Sequence, residues 1–288
     1  MNFIILDLEW NGAFSKKERK FVNEIIEFGA VKLDETLAVT ETFSMLVTPQ
    51  IGKKLNGKIE ELTHLTNEDL KGAHNTFMHV ASLFSRFSAD SVILTWGRSD
   101  IHTLMENFVY YEKKPFIPFL KKYCDLQMYC AKSLDEYDKS KQMGLSTCAQ
   151  HLGIDREEFT LHRATDDARL SALCFKQLYN EKKFAKFVEN CDDEFYRKMT
   201  FRTAYITDIN NPLIDRSKMQ FICPTCNNPA KRVTPWVVKN RQFRANFRCK
   251  ECKTEFSGRI AFRLKYEGLQ INKRIVKLLP PEENIKVE

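Results

Sequence analysis

The stretch Asn2-Phe3-Ile4-Ile5-Leu6-Asp7-Leu8-Glu9-Trp10 decides the fold of this 288-residue chain. Phe3–Leu6 is a short apolar run rich in strand-forming residues, which predicts a buried central β-strand. Because side chains i and i+2 of a strand point to the same face, Asp7 and Glu9 are expected side by side. Two carboxylates placed together repel each other unless a cation lies between them. On its own, the pair is also typical of a strand end that emerges into solvent.

The amino-acid composition limits the classes of protein to which this chain can belong. Hydrophobic residues make up 43% and aromatic residues 12% of the chain, enough for one sizeable core and a smaller module. The sequence contains no run of ~20 apolar residues and no secretory leader, so we expect no membrane partner and no secretion. Nine cysteines, four of them in two C-x-x-C pairs, favour a reducing cytoplasm and one metal site over a disulfide framework.

The positive charge is concentrated near the C-terminus. The chain has a net charge of +7, yet residues 216–277 hold 16 Lys/Arg and only three acids. The rest of the chain is therefore negative. A basic module on an acidic body indicates that the module meets a polyanion.

Hydrophobic patterns predict an antiparallel meander followed by helices. After the first strand, 11–20 reads as a polar, lysine-rich loop, and 24–33 and 37–47 read as the second and third strands. One more buried strand is expected at 91–96. This order predicts a mixed α/β sheet flanked by helices. The expected helices are 59–70 with Asn67 as a cap, 77–87 capped by Asn75 or Thr76, 100–111, 144–152, 163–180, and one or two within 184–203.

Two later motifs supply further acids. Trp96-Gly97-Arg98-Ser99-Asp100 places a carboxylate where a strand ends and a helix begins. His162-Arg163-Ala164-Thr165-Asp166-Asp167-Ala168 places a histidine just before a helix and acids in its first turns. Taken singly, Asp100 fits an ordinary helix cap, and Asp166 and Asp167 fit the preference of helix N-termini for negative charge.

Taken in order, D-x-E, W-G-x-x-D and H-x-A-x-x-D-A resemble the motifs of the DEDDh 3′–5′ exonucleases, the DnaQ-like branch of the ribonuclease H fold. The W-G-x-x-D form is most similar to the branch of the KapD-type proteins and the eukaryotic small-RNA and histone-mRNA exoribonucleases. Leu62-Thr63-His64-Leu65-Thr66 resembles the family's L-T-G-I-T segment, with His64 where glycine is usual. The resemblance covers residues 1–185 and implies a ribonuclease H-like mixed sheet there.

The resemblance also implies the chemistry. Asp7, Glu9, Asp100 and Asp167 would hold two Mg²⁺ or Mn²⁺ ions, and His162 would act as the general base, because a near-neutral imidazole accepts protons at physiological pH. The expected reaction is removal of nucleotides from the 3′ end of single-stranded nucleic acid, with RNA favoured over DNA by the branch. The alternatives are a DNA proofreading or repair exonuclease and a non-catalytic nucleic-acid-binding scaffold.

The sequence departs from the family pattern just after Glu9. The family commonly has Thr or Ser two positions after the glutamate, whereas this chain has Asn11, preceded by Trp10. We expect Asn11 to hydrogen-bond the terminal sugar of the substrate and Trp10 to stack on its last base. The alternative for Trp10 is simple packing over the sheet edge.

Four cysteines near the C-terminus predict a structural zinc site. Cys223 and Cys226 form one C-x-x-C pair, and Cys249 and Cys252 form a second pair 22 residues later. Four thiolates at this spacing suit tetrahedral Zn²⁺ with no open position. The module resembles a zinc ribbon.

The strand before the second pair carries basic residues on one face. Arg244 and Arg248 alternate with Phe243, Ala245 and Phe247, so the two arginines share a face that can bind phosphates. Alternatively, the face is merely solvated, or docks on the acidic body. We therefore predict three parts: a DEDDh exonuclease domain over 1–185, a helical extension and linker over 186–215, and a basic zinc-ribbon domain over 216–288.

Overall fold

A computed structural model describes residues 1–52, 54–134, 142–157, 159–160 and 162–278. The chain forms two compact units, Met1–Met199 and Thr200–Glu288. The segment 186–215 is divided between them. Within the described residues, no helix has both the length and the apolar character that a membrane crossing requires.

A mixed sheet forms the centre of the first unit and confirms the expected ribonuclease H-like α/β class. The first three strands form the predicted antiparallel meander, two further strands run parallel to the first, and a short antiparallel strand closes the edge. The order within the described residues is β3-β2-β1-β4-β5-β6. The strands are β1 Asn2–Ser15, β2 Lys20–Leu33, β3 Val39–Leu46, β4 Ser91–Thr95, β5 Lys122–Asp125 and β6 Glu189–Asn190.

Helices cover both faces of this sheet, and β1 shows how the faces are divided. Ile4, Leu6 and Leu8 pack into the cluster formed with α3 and α4, whereas Phe3 and Ile5 pack into the cluster formed with α5 and α7. The helices are α1 Gly57–Thr63, α2 Asn67–Gly72, α3 Phe77–Phe87, α4 Ser99–Glu112, α5 Leu126–Ser133, α6 Leu145–His151, α7 Ala164–Leu178, α8 Glu181–Phe184 and α9 Asp193–Thr200.

The β1–β2 hairpin is longer than the sequence indicated. Residues 11–20 were expected to form a loop, but the strands stay paired as far as Ser15 opposite Lys20. The expectation was wrong because the lysines lie around the turn, while every second residue of the strand before it is buried. The pairing shifts once, between Glu9 opposite Glu27 and Trp10 opposite Ile25. This shift is a β-bulge, which leaves an extra residue on β2.

The segment after β3 forms two short helices rather than the single helix expected. The break lies at His64, whose φ of 56° is in the left-handed region. This conformation favours glycine, which explains why the family's motif has glycine there. Thr66 caps α2 through a capping box with Asp69. Asn67, expected to be the cap, instead accepts a hydrogen bond from the Leu55 amide at 3.0 Å.

The second unit is an antiparallel sheet with one buried face. The order is β13-β12-β11-β9-β8 within its described residues; β10 also pairs with β11, and β7 pairs with β12. Phe243, Phe247, Phe256 and Phe262 fill its core. The strands are β7 Ala204–Ile206, β8 Phe221–Ile222, β9 Pro229–Arg232, β10 Val237–Lys239, β11 Gln242–Cys249, β12 Glu255–Lys265 and β13 Gly268–Lys277.

Candidate active site and zinc site

The first two acids of the site lie on β1. Because Phe3 and Ile5 pack toward α7, strand alternation places Asp7 and Glu9 on that same face. Both side chains are only partly exposed. The expected side-by-side pair is therefore present, and it faces the helix that carries the next acid.

The third acid, Asp100, reaches the site from the first turn of α4. Its side chain is 3% exposed, and its Oδ1 accepts a hydrogen bond from the Leu8 amide at 3.1 Å. Leu8 lies between Asp7 and Glu9, so this bond fixes the start of α4 next to both. Gly97 permits the sharp turn from β4 into α4, because its φ of 86° is one that glycine tolerates.

The segment at the start of α7 places His162 and the fourth acid, Asp167, at the site. The His162 amide donates to Asp167 Oδ2 at 3.1 Å. Possible ligand atoms of Glu9, His162 and Asp167 all lie within 4.8 Å of one another. His162 is exposed, and its φ of 63° lies in the left-handed region, which is a costly conformation for a residue with a side chain. The structure thus brings all five sequence-predicted residues to one region.

A buried glutamate that the sequence analysis missed fixes the start of α7. Glu27 is 1% exposed and lies opposite Glu9 on β2. It pairs with Arg163 at 3.0 Å and accepts a hydrogen bond from the Ala164 amide at 3.2 Å. The sequence could have indicated this role, because Glu27 is an acid within the apolar run of β2 and a buried charge requires a partner.

Gly29 allows α7 to approach the sheet. It lies opposite Asp7. A Cβ at Gly29 would be 2.1 Å from the Ala164 carbonyl carbon and 2.1 Å from the Thr165 nitrogen. Only a residue without a side chain fits this contact, so Gly29 helps to set the distance between Asp7 and Asp167.

The carboxylates are held where their ionised forms are unfavourable. Burial raises the pKa of Asp7 well above its usual value, and the charges of Asp100, Asp167 and Glu9 raise it further. Burial, followed by the charges of Asp167 and Glu27, raises the pKa of Glu9 to about 8. Burial raises the pKa of Asp100 to about 7 and also raises that of Asp167. Positive charge at this site would stabilise all four carboxylates.

The donor set fits hard divalent cations. Carboxylate oxygens are the protein ligands that Mg²⁺ and Mn²⁺ prefer. Asp7, Glu9, Asp100 and Asp167 would hold such ions, because their mutual repulsion is otherwise uncompensated. Asp166 is engaged elsewhere, accepting from the Thr160 amide at 3.2 Å and pairing with Arg169 at 3.5 Å.

The two residues after Glu9 serve the fold in this structure. Asn11 is 1% exposed; its side chain accepts from the Asn56 amide at 3.0 Å and donates to the Lys54 carbonyl at 3.2 Å. Trp10 is partly buried and packs against the α3–α4 cluster. Trp10 therefore makes the packing contacts that were the alternative to base stacking. Substrate contacts by either residue stay predictions.

The four cysteines of the second unit come together as zinc ligands would. The Sγ atoms of Cys223 and Cys252 lie 3.4 Å apart, as do those of Cys226 and Cys249. All four ligand atoms lie within 4.8 Å of one another. Tetrahedral Zn²⁺ with bonds of ~2.3 Å separates its sulfurs by about 3.8 Å. The cluster therefore has the donors and spacing for Zn²⁺.

The two arginines predicted to bind substrate differ in their surroundings. Arg248 is exposed and lies 3.4 Å from Glu255. Arg244 is partly buried and lies opposite Arg259 on β12. Both lie on the face away from the phenylalanine core, as the alternation predicted.

Comparison with known proteins identifies the class that this fold and site define. The model of the exonuclease family matches residues 4–175. The chain therefore belongs to this exonuclease family, and it is similar to 3′–5′ exonucleases and to a nuclease of the DEDDh type. The probable 3′–5′ exonuclease KapD of Bacillus subtilis is 28% identical over 188 residues, covering 64% of this chain and 87% of KapD. The PolC-type DNA polymerase III of Thermotoga petrophila is 28% identical over 173 residues, covering 60% of this chain but only 11% of the polymerase.

Solved structures share the fold. The nuclease domain of 3′hExo, a DEDDh family member bound to rAMP, has a TM-score of 0.52 at 24% identity, covering 61% of this chain and 90% of that domain. A 3′-exonuclease that recognises the histone mRNA stem-loop has a TM-score of 0.54 at 22% identity, covering 66% and 84%. Cell-death related nuclease 4 has a TM-score of 0.52 at 15% identity, covering 79% and 87%.

Proposed function

We propose that this protein is a two-metal-ion exonuclease that hydrolyses single-stranded RNA from its 3′ end in the cytoplasm. The observation that carries the proposal is the convergence of Asp7, Glu9, Asp100 and Asp167 with His162 beside the central strand β1. Such a set is what phosphodiester hydrolysis by paired divalent ions requires, and a scaffold has no need to keep it.

Each residue has a distinct part in this proposal. The ions supply charge stabilisation for the attacking and leaving oxygens of the phosphate. The four carboxylates would hold them, and the Asp100–Leu8 hydrogen bond keeps Asp100 in fixed relation to Asp7 and Glu9. His162 is exposed beside Glu9 and Asp167, so its imidazole can accept the proton of the attacking water. Glu27 and Arg163 orient the segment that carries His162.

RNA is favoured because of what similar proteins bind. The 3′hExo domain was solved with rAMP, and another 3′-exonuclease recognises an RNA stem-loop. DNA is the second candidate substrate, because part of a DNA polymerase is 28% identical to this chain. None of the nine cysteines, all of which the structure describes, forms a disulfide, which supports a reducing compartment such as the cytoplasm.

The second unit serves, in this proposal, as a zinc-stabilised handle for nucleic acid. Its Cys₄ cluster fits one structural Zn²⁺, and its basic strand face includes Arg244 and Arg248. Sequence-independent phosphate contacts of this kind would retain the substrate while successive 3′ nucleotides are removed.

The test uses 5′-labelled single-stranded RNA and DNA of one sequence, with Mg²⁺ or Mn²⁺ and with neither. We expect a ladder that shortens from the 3′ end only when metal is present, and faster on RNA. Asp167→Asn should abolish the ladder. His162→Ala should slow it by ~10²–10⁴-fold, with partial recovery at alkaline pH, where hydroxide is abundant. Shortening from the 5′ end, or full activity of Asp167→Asn, would contradict the proposal.

A further inference from the structure

Three arginines form a row across the outer face of the second unit's sheet. Arg259 of β12 lies opposite Arg244 of β11 on one side and opposite Arg274 of β13 on the other. Residues directly opposite each other share a face, and the burial alternation places this face away from the phenylalanine core. We call Arg244, Arg259 and Arg274 the arginine row.

Among the residues that the structure describes, no acidic side chain forms an ion pair with the row. Like charges directly opposite each other in a sheet are unfavourable. In the described strands β10 to β13, Glu255 is the only acid, and its ion pair is with Arg248. The Nε atoms of Arg244 and Arg259 are buried and have no hydrogen-bond partner. Buried guanidinium donors without acceptors cost free energy, so the row is arranged for an anion that comes from outside.

The surrounding surface suits an extended ligand rather than a single ion. Along β12, Arg259 is flanked on the same face by Ser257 and Ala261, which have small side chains. Two positions further along this face, Arg263 lies opposite Tyr205 of β7, and the Arg263 guanidinium is 5.7 Å from the Tyr205 ring centre. Arginine and aromatic surface thus continue beyond the row.

We propose that the arginine row binds consecutive phosphates of one single-stranded nucleic acid, which crosses the sheet at right angles to its strands. Neighbouring strands are ~4.8 Å apart, so the row spans roughly 10 Å. A stacked single strand rises about 3.4 Å per nucleotide, so the row covers the length of about three nucleotides. This inference rests on the proposed nuclease function and assigns the handle to Arg244, Arg259 and Arg274, with Arg248 outside it.

A nucleic acid fits the row better than an acidic peptide does. Guanidinium groups bind phosphate oxygens with two parallel hydrogen bonds. A base can also stack on an aromatic ring, and Tyr205 lies next to Arg263 beyond the row, whereas a run of acidic side chains gains nothing comparable from that ring.

The test measures binding without hydrolysis. The full-length, zinc-loaded protein carries Asp7→Asn, so that a fluorescent 20-nucleotide single-stranded RNA stays intact. Anisotropy gives the affinity between 50 and 200 mM salt for this parent, for each row arginine changed to Ala, and for the triple variant. Lys218→Ala is the matched control, since Lys218 is an exposed cation of the short 3₁₀ helix and not of the outer face. Arg259→Lys keeps the charge.

Each lost contact should reduce the slope of log affinity against log salt by about 0.7. The triple variant should lose about 2 from the slope, so between 50 and 200 mM salt the parent weakens roughly 20-fold more than the triple variant does. Lys218→Ala and Arg259→Lys should keep the parent's slope. Equal slopes for parent and triple variant would overturn the proposal, as would the same loss in Lys218→Ala. Displacement of the RNA by polyglutamate as effectively as by unlabelled RNA would overturn it in favour of an acidic protein partner.

This outcome is separable from the nuclease proposal. Hydrolysis of a dinucleotide by protein with native Asp7 reports the catalytic site alone, and the triple variant should hydrolyse it at the parent's rate. Absence of dinucleotide hydrolysis with a salt slope that depends on the row would refute the nuclease and keep the row. Normal dinucleotide hydrolysis, together with RNA binding that does not depend on the row, would keep the nuclease proposal and refute the proposal for the row.

Discussion

Gly29→Ala should disable the active site without touching any proposed ligand. The new Cβ would lie 2.1 Å from the Ala164 carbonyl carbon and the Thr165 nitrogen, and backbone atoms cannot rotate away. Even a tight contact of 3.4 Å requires the start of α7 to retreat by about 1.3 Å. Asp167 and His162 would move with it, while Asp7 stays on β1.

The structure also sets the size of the effect. A misplacement of ~1 Å at a catalytic centre costs about 10²-fold in rate, so kcat/KM on labelled RNA should fall by about 10²-fold or more. Overpacking should lower the free energy of unfolding by about 1–3 kcal/mol, which urea denaturation followed by circular dichroism measures. The fold should persist, because the displaced contact lies at one end of α7.

Gly12→Ala is the matched control. Gly12 lies on β1, is exposed, and has no described atom within 4 Å of the position of a Cβ. This variant should keep the parent's activity and gain or lose less than about 1 kcal/mol in stability. A folded Gly29→Ala protein with near-parent kcat/KM would refute the argument that close approach of α7 to β2 sets the geometry of the site.

Two further predictions concern the metals. Metal-free protein should become less stable as pH rises from about 5 to 8. In this range the folded protein keeps protons on Glu9 and Asp100, whose pKa values are about 8 and 7, whereas the unfolded chain releases these protons near pH 4. Thermal denaturation with and without Mg²⁺ checks this. Mg²⁺ should stabilise more at pH 8 than at pH 5.5, and a stability that rises with pH in metal-free protein would contradict the burial of these acids. Cys223→Ser should lose bound zinc, and its second unit should become sensitive to proteolysis while the first unit resists it, because a Cys₄ site contributes folding free energy directly. The zinc content of the protein and mass spectrometry of its fragments measure this. A fully zinc-loaded, protease-resistant variant would contradict the assignment.

The sequence predicted the parts of the site that depend on local periodicity. Asp7 and Glu9 share a face because a strand alternates, and Asp100 and Asp167 are in the first turns of helices whose apolar patterns were readable. The Cys₄ site follows from spacing alone. These features need no knowledge of tertiary contacts.

The parts that could not be predicted depend on what packs against what. Glu27 becomes a positioning residue only because Arg163, distant in sequence, meets it. Gly29 has no turn or cap to mark it, and its role exists only where α7 touches β2. The hydrogen bonds of the Asn11 side chain with a loop more than forty residues away could not be predicted from the neighbours of Asn11 in sequence. Strand β5 and helix α5 were not predicted because their short apolar runs lack a clear period.

The bulge on β2 separates the catalytic sheet from the helices α1 and α2. Ile26, the extra residue, packs not with the main clusters but with Leu55, Leu65 and Leu70. So few buried residues make this segment a unit of low local stability. Substitutions of these leucines should therefore loosen the packing of α1 and α2 before they disturb the strands that carry Asp7 and Glu9.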